Sequence, residues 1–295
     1  MVNVLPGDLS HVIHSFFEHD FRYSCRPEKQ GDSEVSVLNV RDLIVTYVHS
    51  PIQRKVLDNL SLEIGESEIV GLVGESGSGK TTLALTVLRL NAPEARIRGG
   101  EVLFEGKNLL EVSDKEMRAI RGNKISMIFQ DPRAYLNPYI KVGEQVMQPL
   151  LIHKKAAKHE AKKLVLEAFQ KLQINMPELV FNKYPHQIST GMCQRAVIAM
   201  ATLCKPSLLI ADEPTSALDV TTQAQIFHLL KKLKEEGTSI LLITHDLGVV
   251  AQVTDRMYLL HNGRILEAGP ISKVLKEPVQ DYTKKLLNAY KLYNT

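Results

Sequence analysis

The chain has 295 residues, enough for one large or two modest domains, and 44% hydrophobic content supplies a real core. Its net charge of +3, with both signs interspersed throughout, excludes a strong electrostatic footprint for nucleic acid. No apolar stretch approaches the roughly 18 to 20 residues that cross a bilayer, and no basic segment leads into an apolar core at the N-terminus, so neither a membrane span nor a secretory signal is expected. Cys25, Cys193 and Cys204 lie far apart without metal-ligand spacing and read as reduced thiols.

In chain order, residues 1–34 read as an appendage. Leu9, Val12, Ile13, Phe16 and Phe17 share one helical face, with Asp8 able to cap it. His11, His14 and His19 have no acidic or thiol ligand at fitting spacing and are not taken as a metal site. From Val35 short strands are expected. Leu60, Leu62 and Ile64 alternate with Ser61 and Glu63, as in a strand with one buried face. Ile69 to Val73 is an apolar strand entering a glycine-rich loop, with a helix from about Lys80. Ser126–Phe129, Leu208–Ala211 and Ile240–Ile243 are further buried strands. Residues from about 131 to 190 read as a helical insertion, in which Lys154, Lys155, Lys158, Lys162 and Lys163 paint a solvated face opposite Leu164, Leu166, Phe169 and Leu172. Buried strands alternating with helices imply an α/β fold with a mostly parallel sheet, here joined by an antiparallel β part. The main body is expected over residues 35–290, with 291–295 as a tail.

Gly74-Glu75-Ser76-Gly77-Ser78-Gly79-Lys80-Thr81, followed by Thr82, fits G-x-x-x-x-G-K-[ST] at every fixed position. The glycines let backbone N–H groups surround phosphate oxygens, and the following helix N-terminus adds the positive end of its dipole. Lys80 suits the β and γ phosphates and the Thr81 hydroxyl suits Mg²⁺. Downstream, Leu208 to Ala211 delivers Asp212 and Glu213 at a strand's C-terminal end, where open α/β sheets bind ligands. In a phosphate-loop enzyme Asp212 would complete Mg²⁺ coordination and Glu213 would polarise the attacking water.

Further segments, in order, resemble the ABC ATPase branch of the P-loop NTPases. Gln130 after Met127-Ile128-Phe129 matches the Q-loop glutamine. Ile188-Ser189-Thr190-Gly191-Met192 stands where the family carries its LSGGQ-type signature. Ser216-Ala217-Leu218-Asp219 resembles the D-loop, and Thr244-His245-Asp246 the switch. Tyr47 stands where the family places an aromatic that stacks on adenine. Finer similarity points to the importer branch for dipeptides, oligopeptides and nickel, through Gln130-Asp131-Pro132, Leu136-Asn137-Pro138, Tyr184-Pro185-His186-Gln187, Asp219-Val220-Thr221 with Gln223-Ala224-Gln225, and Pro278 with Tyr282-Thr283. Many members of that branch carry a cysteine-bearing C-terminal tail; this sequence has none, and no iron–sulfur cluster is expected.

The resemblance implies an ATPase at the cytoplasmic face of the cell membrane, with ATP and Mg²⁺ as cofactors. Two such subunits, here of different chains, would face each other head to tail, bound to two membrane-spanning permease subunits that a solute-binding protein serves from outside. Tyr47, residues 74–82, Ser189, Gly191 and Asp219 would contact nucleotide. Thr81, Gln130 and Asp212 would hold the metal, and Glu213, His245 and Gln130 would carry the catalysis. A soluble ABC ATPase acting on nucleic acid or the ribosome is the rival, disfavoured by the single phosphate loop, the short insertion and the low net charge. Thr190 departs from the family's glycine. If that position needs φ > 0, a β-branched residue is strained by about 1–3 kcal/mol, and one site of the pair would be slow. If Ser189 and the Gly191 N–H suffice, no asymmetry follows.

Overall fold

The computed structural model describes residues 36–49, 52–215 and 218–293. The apolar stripe of the appendage, its histidines, Cys25, and Ser216 and Ala217 lie outside these residues.

Six strands form the central sheet: β3 (Ile69–Val73), β6 (Ile125–Ile128), β7 (Leu208–Asp212), β8 (Ser239–Thr244), β9 (Arg256–His261) and β10 (Arg264–Pro270), in the order β10-β9-β3-β8-β7-β6. All neighbours pair parallel except β9 and β10, a hairpin at one edge. The apolar runs explain this placement, because β3, β6, β7 and β8 are buried at every position and must be covered on both faces. Along β8, Ile240 and Leu242 join one core cluster while Leu241 and Ile243 join another.

The cluster around Leu241 is closed by a second, antiparallel sheet of order β2-β1-β4-β5, comprising β1 (Ser36–His49), β2 (Ile52–Gly65), β4 (Ala95–Phe104) and β5 (Lys107–Asn108). Here the strands differ from expectation: β1 and β2 each run 14 residues rather than being short. Register shifts let them bend over the core while keeping their pairing, which alternation alone does not reveal. Helix α1 (Lys80–Val87) lies between the two sheets, with Leu83, Ala84 and Val87 buried. Helix α2 (Asp114–Ile120), started by a capping box of Ser113 and Glu116, adds Met117 to the same cluster.

Helices cover the other face. Between β6 and β7 lie α3 (Pro132–Tyr135), α4 (Val142–Val146), α5 (Gln148–Ile152), α6 (Lys158–Lys171), α7 (Pro177–Phe181), a short 3₁₀ turn and α8 (Thr190–Thr202). The buried line of α6 is Ala161, Val165 and Phe169, with Leu164 and Leu166 only half-buried beside it. The chain then adds α9 (Val220–Glu235), α10 (Leu247–Val253), α11 (Ile271–Lys276) and α12 (Asp281–Tyr293). Because β3, β6, β7 and β8 run parallel, their carboxyl ends share one edge of the sheet. Cys193 and Cys204 are free thiols in the interior, as expected, and burial raises the pKa of both. No described helix is long and apolar enough to cross a membrane.

Candidate nucleotide-binding and catalytic site

The loop after β3 turns tightly. Gly77 and Gly79 have φ of 78° and 113°, and a Cβ on Gly79 would lie 2.7 Å from Leu57 and 2.9 Å from the Val56 carbonyl. Only glycine meets both demands. Inside the turn, Lys80 Nζ donates to the carbonyls of Gly74 at 2.6 Å and Glu75 at 2.8 Å. Burial pulls the Lys80 ammonium below its ordinary pKa, opposed by the carboxylates of Glu213, Asp212 and Glu75. The buried Ser78 hydroxyl has no protein partner among the described residues.

Neighbouring strands bring the other groups to this edge. Asp212, 4% exposed at the end of β7, accepts from Thr81 Oγ1 at 2.8 Å. Burial pushes its pKa up; the Thr81 bond opposes this, and the adjacent Glu213 carboxylate adds to it. Glu213 sits at φ 46°, a backbone conformation unfavourable for a non-glycine residue, and its N–H is tied to the Ile243 carbonyl at 2.8 Å. That turn aims its carboxylate at two partners. Gln130 Nε2, from beyond β6, donates to Oε2 at 2.7 Å, and His245 Nδ1, from beyond β8, lies 2.8 Å from Oε1. Three crossover strands thus deliver Gln130, Glu213 and His245 into one hydrogen-bonded set.

A cleft of about 420 Å³ joins these residues to the antiparallel sheet, lined by Tyr47, Arg54, Val56, Ser76, Gly77, Gly79, Lys80, Thr81, Thr82, Gln130, Asp212 and Glu213. A ring, a glycine loop, an ammonium and two carboxylates along one cleft suit a purine base at one end and a polyphosphate at the other. Sequence reading passes over Arg54 and Val56. Arg54 is the cross-strand partner of Tyr47, so the β1–β2 register brings it there, and no motif marks it.

Other expected residues lie off this cleft. Gly74 and Ser78 back the loop, and the Glu75 side chain turns to Tyr282, leaving its backbone facing Lys80. Asp219 caps α9, accepting from the Thr222 N–H at 3.0 Å and its hydroxyl at 2.8 Å. Ser189 caps α8 by accepting from Met192 N at 3.2 Å. Thr190 is the first residue of that helix, and neither it nor Gly191 has positive φ. The strain argument for Thr190 therefore fails: an ordinary helical conformation is open to a β-branched residue.

The comparisons agree with this geometry. Residues 57–216 match the family model described as ABC transporter. A probable peptide ABC transporter ATP-binding protein of Sinorhizobium fredii is 45% identical, over 86% of this chain and 76% of its own. The oligopeptide transport ATP-binding protein of Bacillus subtilis is also 45% identical, over 85% of this chain and 71% of its own. A dimeric ATP-binding cassette solved in a post-hydrolysis state with ADP and Pi has a TM-score of 0.72 at 31% identity, covering 79% of this chain and 98% of that one. With the phosphate loop, the paired acids and their partners in place, the chain belongs to the ABC transporter family as an ATP-binding, ATP-hydrolysing subunit.

Proposed function

We propose that this chain powers import of di- or oligopeptides, or of a related small solute such as nickel, from the cytoplasmic face of a cell membrane. The observation that carries the chemistry is the Gln130–Glu213–His245 set at the mouth of the phosphate loop. Lys80 would bind the β and γ phosphates, Glu213 would orient the attacking water, and His245 would hold the γ-phosphate. Tyr47 would stack on adenine. Phosphoryl transfer needs positioning and charge neutralisation, and these side chains supply both.

The donors near Thr81 fit Mg²⁺: a hydroxyl, the Asp212 carboxylate and the Gln130 amide are hard oxygen ligands. Among the described residues no three His, Cys, Asp or Glu side chains are arranged to hold a metal ion by themselves, so the phosphates of the nucleotide would supply further ligands. When bound, the ion would neutralise charge on the phosphates.

Ser189 and Gly191 would serve the nucleotide of a second, different ATP-binding subunit, with Asp219 near the shared boundary. Two permease subunits would complete the assembly, a solute-binding protein would deliver solute from outside, and nucleic acid would have no part. The peptide reading is supported by relatives named for peptide transport at 45% identity. Removing the chain from its host tests it: uptake of a labelled peptide should stop, and Glu213→Gln should fail to restore it. Undiminished uptake of di- and oligopeptides and of nickel, or co-purification with ribosomes in place of membrane subunits, would overturn the reading.

A further inference from the structure

The C-terminal end of the described chain reaches back to the phosphate loop. The Tyr282 hydroxyl, at the start of α12, donates to Glu75 Oε1 at 2.7 Å across 207 residues of sequence. The Tyr282 ring also packs on His261 at the end of β9, with centroids 4.2 Å apart. Glu267 of β10 fixes the beginning of that helix. It accepts from Val279 N at 2.8 Å, from Gln280 N at 3.1 Å and from the Thr283 hydroxyl. Against the cost of its own burial, these bonds hold the Glu267 carboxyl below its ordinary pKa, so it accepts as a carboxylate.

The β9–β10 turn also touches the loop through backbone. Gly263 N donates to the Ser78 carbonyl at 3.1 Å, and a Cβ on Gly74 would lie 2.2 Å from the Leu260 carbonyl. The loop is therefore gripped from within by Lys80 and from behind by the hairpin and α12.

Glu75 is an anomaly in a loop built to receive anions. Its carboxylate belongs to the same few residues whose N–H groups suit phosphate, and at ordinary ionic strength charges are felt over about 8 Å. Neither Glu75 nor Tyr282 lines the cleft, and the Tyr282 phenol holds this carboxylate by a hydrogen bond.

We infer that Tyr282 is a positioning residue of the nucleotide site: its hydroxyl keeps the Glu75 carboxylate away from the bound polyphosphate and thereby strengthens ATP binding. The phenol is suited to a permanent donor role, since burial and the Glu75 carboxylate push its pKa up to about 12. The inference rests on the nucleotide site described above.

ATP binding to the full-length chain tests it, with wild type, Tyr282→Phe, Glu75→Gln and the double variant measured at low and high salt. Tyr282→Phe keeps the ring on His261 and should raise the Kd for ATP about threefold to tenfold. The loss should shrink at high salt, and Glu75→Gln should restore the double variant to within about twofold of wild type, because a neutral amide does not repel phosphate. In the assembled complex the change should fall on KM, with kcat held. A defect of folding would respond neither to salt nor to Glu75→Gln, so a loss with that behaviour overturns the inference, as does an unchanged Kd. A wild-type chain that binds no ATP would overturn the nucleotide site along with it.

Discussion

Two helix N-termini of this molecule are finished in different ways. Helix α1 begins at Gly79, whose φ of 113° and missing side chain leave it without a side-chain cap, and its first turn faces a cleft furnished by both sheets. Helix α8 begins at Ser189, which caps its own helix from an exposed position. The first terminus meets its ammonium, hydroxyl, carboxylates and aromatic ring within one chain. The second is satisfied locally and lines no part of that cleft. An N-terminus set aside for an anion needs tertiary neighbours to make it selective, whereas one stabilised by its own serine can wait at the surface for another molecule's ligand.

The sharpest way to break the comparison is Glu213→Gln in the assembled complex. It should lower ATP turnover by about 10²–10⁴ while leaving ATP binding in place, since the amide keeps the shape but loses the charge that orients water. Turnover near wild type would take Glu213 out of the catalytic set. Next in size is Lys80→Ala, expected to weaken nucleotide binding roughly 10- to 100-fold by removing a charged donor, as titration calorimetry on the isolated chain would report.

The α8 terminus should behave differently. Ser189→Ala should cost about 1 kcal/mol of stability in urea melts through loss of the cap, with the isolated chain's ATP affinity unchanged. A fall in that affinity would place Ser189 in this chain's own cleft and collapse the distinction. Thr190→Gly should cost only about a few tenths of a kcal/mol, because threonine is itself a poor helix former and stands at the first position of α8, and it should not raise ATPase in the pair. A several-fold rise would revive the strain argument that the helical conformation of Thr190 removes.

The smallest effect separates the two regions by pH. Burial raises the folded-state pKa of Asp212 above its unfolded value, so its ionisation opposes folding. That penalty is absent at a pH below the unfolded pKa and complete above the folded one. Asp212→Asn, whose amide oxygen still accepts from Thr81, should therefore raise the melting temperature of the nucleotide-free chain at neutral pH, with the gain fading on acidification. Ser189→Ala should show no such fading.

The phosphate loop and the Asp212–Glu213 pair were legible because each follows an apolar run whose burial marks it as a strand of the central sheet, whereas Gln130 and His245 were picked out only by resemblance to the ABC ATPase family. Such runs point the next residues to the same edge whatever the rest of the chain does. Arg54, Val56 and Tyr282 were not legible as site residues, because no local pattern distinguishes them. Arg54 enters the cleft through the register of two long bent strands. Tyr282 reaches Glu75 only because α12 folds back over the β9–β10 hairpin. Thr190 shows the converse: the sequence left open whether that position needs a left-handed backbone, and a capped helix start gives it an ordinary helical one.

By itself, then, the order of apolar runs and glycine-, lysine- and acid-bearing turns determined the α/β class and pointed to nucleotide chemistry, since local spacing suffices to place a turn at a strand end. Only the tertiary structure decided which side chains converge. The Gln130–Glu213–His245 set, the Tyr47–Arg54 wall and the Tyr282–Glu75 bond each join residues from separate elements. Such contacts depend on strand order, register and packing, which the sequence encodes collectively and at no single position.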